Sequence, residues 1–380
     1  MASVYDSIIE HHKMDKTVST TEKRMKDIIN ITPNYKDMRE NNYFKTILLV
    51  MVLGVAQWVS AQGMSVATLQ HGDQMKAFYG LDAFVEAMEE AVAGDLISLS
   101  SGNFNPPEVI EKAVVIQGAG MYLNDWNTSP TYINGSIEVA LPEEACKGLM
   151  LEGLSMAHDC DIQITSNVEN LCISKCKVRH LDFADITATD VLLDRCYIGG
   201  TLQTGSEADG GLVVRNSYIG SLHAENSNAS NRTFTNCVIN ETRPSGWGWS
   251  ASSCSGIFEN NVIRQLCTSA NSSYYNNIFQ WIENPDPNEY GSLNRQVDMD
   301  EDGVFAVGSF PGGENSDAHL SEAAAAEYLG TDGTQVGMYG GATPFTIVPS
   351  SPQVTSSEVA PYSDANGKLN VKITVEAGSN

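Results

Sequence analysis

Two tryptophans separated by a single glycine are the clearest candidates in this chain for contact with a ligand. Trp247 and Trp249 lie in residues 241–250, a stretch that interrupts a regular series of short strands. Exposed indole rings usually have a partner, and the CH faces of sugar rings stack on them. We therefore expect Trp247, Trp249 and the nearby Arg243 to contact a carbohydrate, with Trp281 as a further contact. In the alternative interpretation, the rings fold back over the flank of the protein and shield apolar side chains.

A short acidic segment has the spacing of a cation-binding loop. Asp298, Asp300 and Asp302 offer carboxylate oxygens at alternate positions, and Gly303 follows them. This order matches the opening half of a calcium loop. Ser309 stands where such a loop has its closing bidentate Glu. The segment therefore has two interpretations, a calcium site or a solvated acidic turn.

The elements that must position these residues follow from a repeat. Six segments of the chain end alike, at intervals of roughly 20 residues. A drifting period of this size, with short apolar strands and no helical pattern, is typical of a solenoid. The closing residues are Val178, Ile198, Ile219, Ile239, Ile263 and Phe279.

Alignment on these closing residues predicts two short strands and a tight turn in each repeat. The residue five places earlier is apolar and the next one is mostly polar, which is the alternation of a half-buried strand. The residue three places earlier is basic or Asn, and Asn best tolerates a left-handed backbone. This turn column is Lys175, Arg195, Asn216, Asn236, Asn260 and Asn276. The column after it is small and polar, and we expect its members to form a hydrogen-bonded ladder inside the turn: Cys176, Cys196, Ser217, Cys237, Asn261 and Asn277.

The pattern resembles the right-handed parallel β-helix of the pectin-lyase-like superfamily, in its bacterial, secreted members. The likeness extends upstream to residues 95–104 and downstream to residues 330–341, and it covers about residues 90–345. The resemblance implies an all-β fold whose coils pair in parallel at a spacing of about 4.8 Å. It implies little about function, because the superfamily holds lyases, hydrolases, adhesins and inert spikes.

The resemblance also implies an alternative function, a polysaccharide lyase or glycoside hydrolase acting on an acidic polysaccharide. Such lyases use a Lys or Arg base, usually with calcium held by carboxylates. The nearest approach to that set is Lys175, Lys177, Arg195 and Arg215 with Asp194 and Asp182. Asp194 and Arg215 are stacked neighbours, and we expect an ordinary surface ion pair there.

Hydrolases of this fold place several Asp around a cleft. Two clusters could contribute to one, although we prefer to interpret each of them as part of a mixed polar face. They are His158 with Asp159 and Asp161, and His180 with Asp182 and Asp185. We favour an exported protein that binds a glycan or serves as a surface structural or adhesive module over an enzyme, and we assign no catalytic residue.

Composition divides the chain into four segments. Residues 1–37 are an upstream extension or a misassigned start, and residues 38–61 have the polar lead, apolar stretch and small-residue cleavage site of a signal peptide. A cytoplasmic arm with a membrane anchor is the alternative. Residues 62–345 form the β-helix, and residues 346–380 a linker and β-strand unit. The mature chain then has no membrane span and is secreted, periplasmic or on the outer surface of a Gram-negative-type bacterium.

A helix is predicted at the N-terminal end of the β-helix, where an edge must be covered. Asp82 is placed to cap it, and the helix runs to about Ala93 with Phe84, Met88 and Val92 on one face. We expect this helix to act as a lid over the first coil.

The charge of the chain limits its partners. The formal net charge is -25 at pH 7, which repels nucleic acid and anionic membranes. An acidic polysaccharide is also repelled unless divalent cations bridge the charges. We expect the protein to be a monomer. Its expected partner is a polysaccharide or cell-surface glycan.

Cysteines in the ladder column have two possible states. Cys176 and Cys196 lie on adjacent coils at a separation of about 5 Å, within disulfide range. Stacked, parallel side chains make the required dihedral awkward, so we favour buried thiols over a disulfide. A zinc site at Cys172 and Cys176 lacks a partnering His at recognisable spacing.

Overall fold

The computed structural model describes residues 65–123, 129–183, 186–204, 210–224, 232–242, 255–268, 271–283, 286–312, 317–350, 353–359, 362–363, 367–368 and 371–376. The predictions for residues 1–37 and 38–61 lie outside these residues and stay predictions. No helix in the described part of the chain is both long and apolar enough to cross a membrane.

The described residues form a parallel β-solenoid of about eight turns, which confirms the predicted architecture. Successive coils stack so that each strand pairs in parallel with the strand of the next coil. Two long sheets result, each with thirteen strands among the described residues.

Strands are numbered in chain order. The first sheet consists of β1 (Val66–His71), β2 (Gln74–Tyr79), β3 (Leu96–Leu99), β5 (Val115–Gln117), β8 (Met150–Glu152), β11 (Val168–Glu169), β12 (Cys172–Ser174), β15 (Ala188–Asp194), β17 (Gly210–Arg215), β19 (Arg232–Thr235), β21 (Ile257–Glu259), β23 (Ser273–Tyr275) and β25 (Gly291–Ser292). β1 and β2 pair antiparallel at its start, and the strands from β3 onward pair in parallel.

The second sheet consists of β4 (Gly102–Phe104), β6 (Thr131–Ile133), β7 (Ile137–Val139), β9 (Leu154–Met156), β10 (Ile162–Ile164), β13 (Lys177–Val178), β14 (Leu181–Phe183), β16 (Tyr197–Thr204), β18 (Tyr218–Ala224), β20 (Val238–Thr242), β22 (Val262–Cys267), β24 (Ile278–Glu283) and β26 (Arg295–Gln296). A separate antiparallel pair, β27 (Gln353–Val359) with β28 (Val371–Glu376), contains the strand predicted near the C-terminus.

The core is a set of stacked columns between the two sheets. The predicted apolar column is in register from coil to coil and fully buried: Ile173, Leu193, Val214, Phe234, Phe258 and Tyr274. The rings of Phe234 and Phe258 stack with centroids 4.9 Å apart, and those of Phe258 and Tyr274 at 5.2 Å. Each coil therefore buries its inward side chains against the same positions of its neighbours.

The turn between the two strands of each coil has the predicted left-handed backbone. All six members of the turn column have φ between 48° and 56°. Just inside the turn, the predicted polar ladder is present. The backbone N–H of Asn261 donates to Oδ1 of Asn277 at 3.0 Å, and that of Asn277 donates to Oδ1 of Asn294 at 3.1 Å. Because Asn277 is fully buried, these bonds satisfy polar groups that water does not reach.

The cysteines of the ladder column are thiols, as predicted. All seven cysteines in the described residues are free. The Sγ of Cys196 lies 3.3 Å from the carbonyl oxygen of Ile173 on the preceding coil. Burial raises the pKa of the Cys176 and Cys237 thiols to about 12.

The turn column also binds the C-terminal part of the chain, a role that its residue types did not indicate. Residues 329–350, here called the corner strap, cross the coils in the direction opposite to their order in the chain. Nδ2 of Asn276 donates to the carbonyl oxygen of Leu329 at 2.8 Å, and Nδ2 of Asn216 donates to that of Gly340 at 2.7 Å. Apolar side chains from residues 299–338 pack against the second sheet beside this strap.

The predicted N-terminal helix is shorter than expected. It spans Ala83–Glu90, here α1, and buries Phe84 and Met88. Val92 was predicted on the buried face, and this is wrong because its backbone N–H donates to the Asp95 carboxylate at 2.8 Å, beyond the end of the helix. Asp82 makes no capping hydrogen bond. The role of α1 as a lid stays a prediction. A second short helix, α2, spans Glu322–Glu327.

Replacing Asn277 should show how much the ladder stabilises the fold. Asn277→Ala leaves the buried backbone N–H of Asn261 and the carbonyl of Phe258 without their side-chain partner. We expect the free energy of unfolding to fall by about 2–4 kcal/mol in urea denaturation. Asn134→Ala, at an exposed position, is the matched control and should change it by less than about 0.5 kcal/mol. Equal losses in the two variants would contradict the role of the ladder.

The thiol assignment predicts slow reaction of the native protein with a thiol reagent. At pH 8 a thiol with a pKa of about 12 is almost wholly protonated, and only the thiolate reacts. We expect Cys176, Cys196 and Cys237 to be unmodified in the folded protein and fully modified after denaturation without reductant, as read by peptide mass spectrometry. A cysteine of this column that stays unmodified in denaturant would indicate a disulfide.

Candidate functional site

The outer face of the second sheet carries a polar depression of about 260 Å³. Inward-facing residues such as Ile162, Leu181 and Leu202 are buried, so the residue after each of them faces outward. The residues that line the depression belong to four adjacent coils: Asp161, Gln163, His180, Leu181, Asp182, Thr201, Gln203 and His223.

Register places the lining residues in a straight column. Gln163 pairs with Asp182, Asp182 with Gln203, and Gln203 with His223 across β10, β14, β16 and β18. The column therefore presents one planar polar group per coil at the coil spacing of about 4.8 Å.

A glycine makes room for the imidazole of His180. The pairing of β16 with β18 shifts register between Ile198 and Thr201, where Gly200 lies. A Cβ atom on Gly200 would be 2.6 Å from Cε1 of His180 and 2.8 Å from the carbonyl oxygen of Arg179. The bulge and its glycine thus allow the ring to lie against the backbone of the next coil.

Backbone contact also fixes the tautomer of His180. The N–H of Thr201 donates to Nδ1 of His180 at 2.9 Å. Nδ1 is therefore an acceptor, and an uncharged imidazole in this position carries its proton on Nε2. His180 is half-buried in the lining of the depression.

Asp161 brings a carboxylate to the same depression. Its backbone N–H donates to Oγ of Ser136 at 3.1 Å. Its Oδ1 is buried and has no hydrogen-bond partner among the described residues. A buried carboxylate oxygen without a donor destabilises the fold.

Trp281, a predicted carbohydrate contact, lies on the same face of the second sheet. It is 49% exposed and pairs with Gln265, which pairs with Glu241. The guanidinium of Arg264 lies over its ring, 5.2 Å from the centroid, and 5.8 Å from that of Phe310. These contacts hold the indole against its neighbours while leaving half of the residue open to a ligand.

The other predicted carbohydrate contacts cannot be placed beside it. Arg243, Trp247 and Trp249 lie outside the described residues, directly after the end of β20 in the sequence. Their role stays a prediction.

The acidic segment uses its carboxylates to hold its own turn. Oδ1 of Asp298 accepts from the backbone N–H groups of Asp300 and Glu301, at 3.2 and 3.0 Å. Oδ2 of Asp302 accepts from the N–H of Asp298 at 3.1 Å. In the part of the chain that the structure describes, no group of three His, Cys, Asp or Glu side chains could hold a metal ion. Calcium binding at Asp298, Asp300 and Asp302 stays a prediction.

Lys175, one of the basic residues considered for lyase chemistry, lies under the corner strap. Lys175 is fully buried, and its Nζ donates to Oγ of Ser350 at 2.7 Å. Burial lowers its pKa, as does the nearby Arg195. Nζ of Lys175 also lies 3.8 Å from the carboxylate of Glu152. Lys175 therefore faces the strap and is not placed as a base for a bound polymer.

The expectation of an ordinary surface ion pair between Asp194 and Arg215 is wrong. Asp194 is only 2% exposed. Nη2 of Arg195 lies 2.6 Å from its carboxylate, and Nε of Arg215 lies 2.8 Å from it. The burial has a physical reason, since the corner strap contacts the adjacent coils on both sides, at Lys175 and Asn216.

The structure groups the residues of the two predicted His and Asp clusters differently from the sequence. His158 and Asp159 form an exposed ion-pair group with Arg179. Asp161 instead joins His180 and Asp182 in the depression. Asp185 lies outside the described residues.

Sequence reasoning missed Gln163, Gln203 and His223. They lie outward in the second sheet, beyond the residues on which the repeats were aligned. The bulge at Gly199 and Gly200 displaces the column by one residue in one coil, so a fixed offset does not find it. The column can be found from the sequence if the period-two alternation is continued past the closing residue of each coil separately.

Comparison with known proteins found no match among family models, curated proteins or solved structures. The structure establishes a parallel β-solenoid. Membership of the pectin-lyase-like superfamily stays a prediction.

Gly200→Ala tests the placement of His180. The added Cβ meets the backbone of Arg179 as well as the imidazole, so we expect a loss of about 1–3 kcal/mol in the free energy of unfolding. We also expect changed NMR shifts for His180. Gly312→Ala is the matched control, because a Cβ there meets only the carbonyl oxygen of Phe310 at 4.0 Å. An unperturbed His180 ring in the Gly200→Ala variant would contradict the packing described.

Proposed function

We propose that the protein binds a carbohydrate chain along the outer face of its second sheet. The observation that carries this proposal is the presence of the polar depression and the half-exposed Trp281 on one face of one sheet. Amide, carboxylate and imidazole groups hydrogen-bond to hydroxyls, while an indole stacks on the apolar face of a sugar ring. Sugar-binding sites need both kinds of contact.

The geometry of the solenoid suits a polymer that runs across the strands. β16 and β24 are four coils apart, so Gln203 and Trp281 are separated by roughly 19 Å along the stack at about 4.8 Å per coil. On the coils between them, Ser221, Glu241 and Gln265 lie in register with Trp281. A chain of several sugar units would therefore contact both the depression and the indole.

A glycoside hydrolase is the second candidate. Asp161 and Asp182 both line the depression, and hydrolysis of a glycosidic bond uses a pair of carboxyl groups. A lyase is disfavoured, because Lys175 and Arg195 are buried at the corner, with exposures of 0% and 7%. We rank binding first because stacking on Trp281 and hydrogen bonding to the column of planar polar groups serve binding and need no chemical reaction.

The proposed location is the cell exterior or periplasm of a Gram-negative-type bacterium. Residues 38–61 support it by their resemblance to a signal peptide. An exported monomer with this face open would meet polysaccharides or cell-surface glycans directly.

Trp281→Ala tests the proposal. On a panel of plant, algal and host polysaccharides, we expect the wild-type protein to retain at least one glycan and the variant to bind it at least about tenfold more weakly. Tyr275→Ala is the matched control, since Tyr275 is an aromatic residue of similar exposure on the first sheet, 42% against 49%. The control should bind as the wild type does.

Two results would count against the proposal. If Trp281→Ala binds every retained glycan as tightly as the wild type does, the indole is not part of the site. If the wild type retains no glycan, the protein does not have the proposed function. Product formation, measured as new reducing ends and lost in Asp161→Asn and Asp182→Asn, would favour the hydrolase instead.

A further inference from the structure

We propose that the polar depression takes an uncharged sugar ring, bound through its hydroxyl groups, and discriminates against uronic acids and other anionic sugars. This inference rests on the proposed function and names the class of glycan. Three properties of the depression carry it: the charges of its lining, the hydrogen-bonding groups that it offers, and its size.

The fixed charges of the lining are negative. Asp161 and Asp182 contribute carboxylates, and no Lys or Arg is among the described residues that line the depression. The nearby Arg179 is paired with Asp159 instead. A sugar carboxylate in this depression would face two like charges, and in a half-buried site that repulsion is less screened than in water.

The ring of His180 offers a donor to the depression. Its Nδ1 accepts from the N–H of Thr201 at 2.9 Å, so the tautomer that keeps this contact carries its proton on Nε2.

The hydrogen-bonding groups of the depression require a ligand that both donates and accepts. Nε2–H of His180 is a donor, whereas the carboxylates of Asp161 and Asp182 can only accept. The amides of Gln163 and Gln203 can do both. A hydroxyl donates and accepts at once, a carboxylate only accepts, and an ammonium only donates. Neighbouring hydroxyls of a sugar ring can therefore pair with both the donors and the acceptors of the depression, whereas a carboxylate or an ammonium can pair with only one kind.

The size of the depression limits how much of the ligand it holds. Its volume of about 260 Å³ is below the roughly 300–1,000 Å³ of clefts that hold drug-sized ligands. It fits about one sugar ring of a longer chain. The formal net charge of -25 on the whole protein adds a long-range repulsion for polyanions.

Paired oligosaccharides that differ only in charge test the inference. Galactose, glucose and mannose oligomers are compared with the matching uronic acid oligomers, and a glucosamine oligomer serves as the cationic probe. Calorimetry is done on the full chain at physiological salt with EDTA present, so that divalent cations cannot bridge carboxylates. We expect at least one neutral oligomer to bind at least about tenfold more tightly than its uronic acid partner.

Two variants locate the discrimination in the depression. His180→Phe removes the Nε2–H donor and should weaken the neutral oligomer about tenfold. Asp161→Asn removes a negative charge and should narrow the preference for neutral over acidic oligomers. The matched controls are His158→Phe and Asp159→Asn, which change an exposed His and Asp outside the depression; both should leave the preference unchanged. Thermal unfolding checks that each variant is folded, and Gln203→Ala replaces His180→Phe if that variant is not.

The outcomes separate this inference from the proposed function. Uronic acid oligomers that bind as well as their neutral partners, with affinity lost in Trp281→Ala, would overturn the inference and leave glycan binding in place. Tightest binding of the glucosamine oligomer, abolished by Asp161→Asn, would overturn it in favour of a cation site. No binding of any oligomer or polysaccharide would overturn both.

Discussion

The left-handed corner between the two strands of each coil is the constraint on which the rest of this structure depends. Six successive coils place a residue with φ near 50° at that corner, and four of the six are Asn. At this corner the chain passes from a strand of one sheet to a strand of the other, and each coil repeats the corner at the same place. Stacking then follows, because the repeated corners bring backbone donors and acceptors of neighbouring coils into register at about 4.8 Å.

The same corner explains how polar groups are tolerated inside and beside the core. On the inner side, Asn261 and Asn277 satisfy backbone groups of adjacent coils. On the outer side, Asn216 and Asn276 bind the corner strap, which buries Lys175 and its neighbours. Buried charges persist only with partners, and Lys175, Asp194 and Arg195 have them. The strap thus occupies one edge of the solenoid. Residues 299–338 cover the part of the second sheet beside it, while the polar depression and half of Trp281 stay exposed.

Much of the fold could be predicted from sequence, since its causes are local. The inward column from Ile173 to Tyr274 follows from apolar alternation, and the turn column from the Asn residues. The corner strap could not be predicted, because Asn216 and Gly340 are 124 residues apart and nothing in either residue indicates the other. The burial of Lys175 and Asp194 was missed for the same reason, since long charged side chains are normally exposed.

The candidate site was predictable only in part. Trp281 is recognisable as an aromatic residue outside the core pattern, whereas Gln163, Gln203 and His223 look like ordinary strand surface until register aligns them. The bulge at Gly200 shifts that column by one residue, so an alignment at a fixed repeat length does not detect it. The same bulge creates the space for His180.

The central claim is that a glycan lies along the outer face of the second sheet. A crystal structure of the full chain with a bound neutral oligosaccharide tests it most directly. The account predicts sugar density beside His180 and Asp161, running across the strands toward Trp281. Density confined to the first sheet, or to a surface that contacts neither the depression nor Trp281, would contradict it.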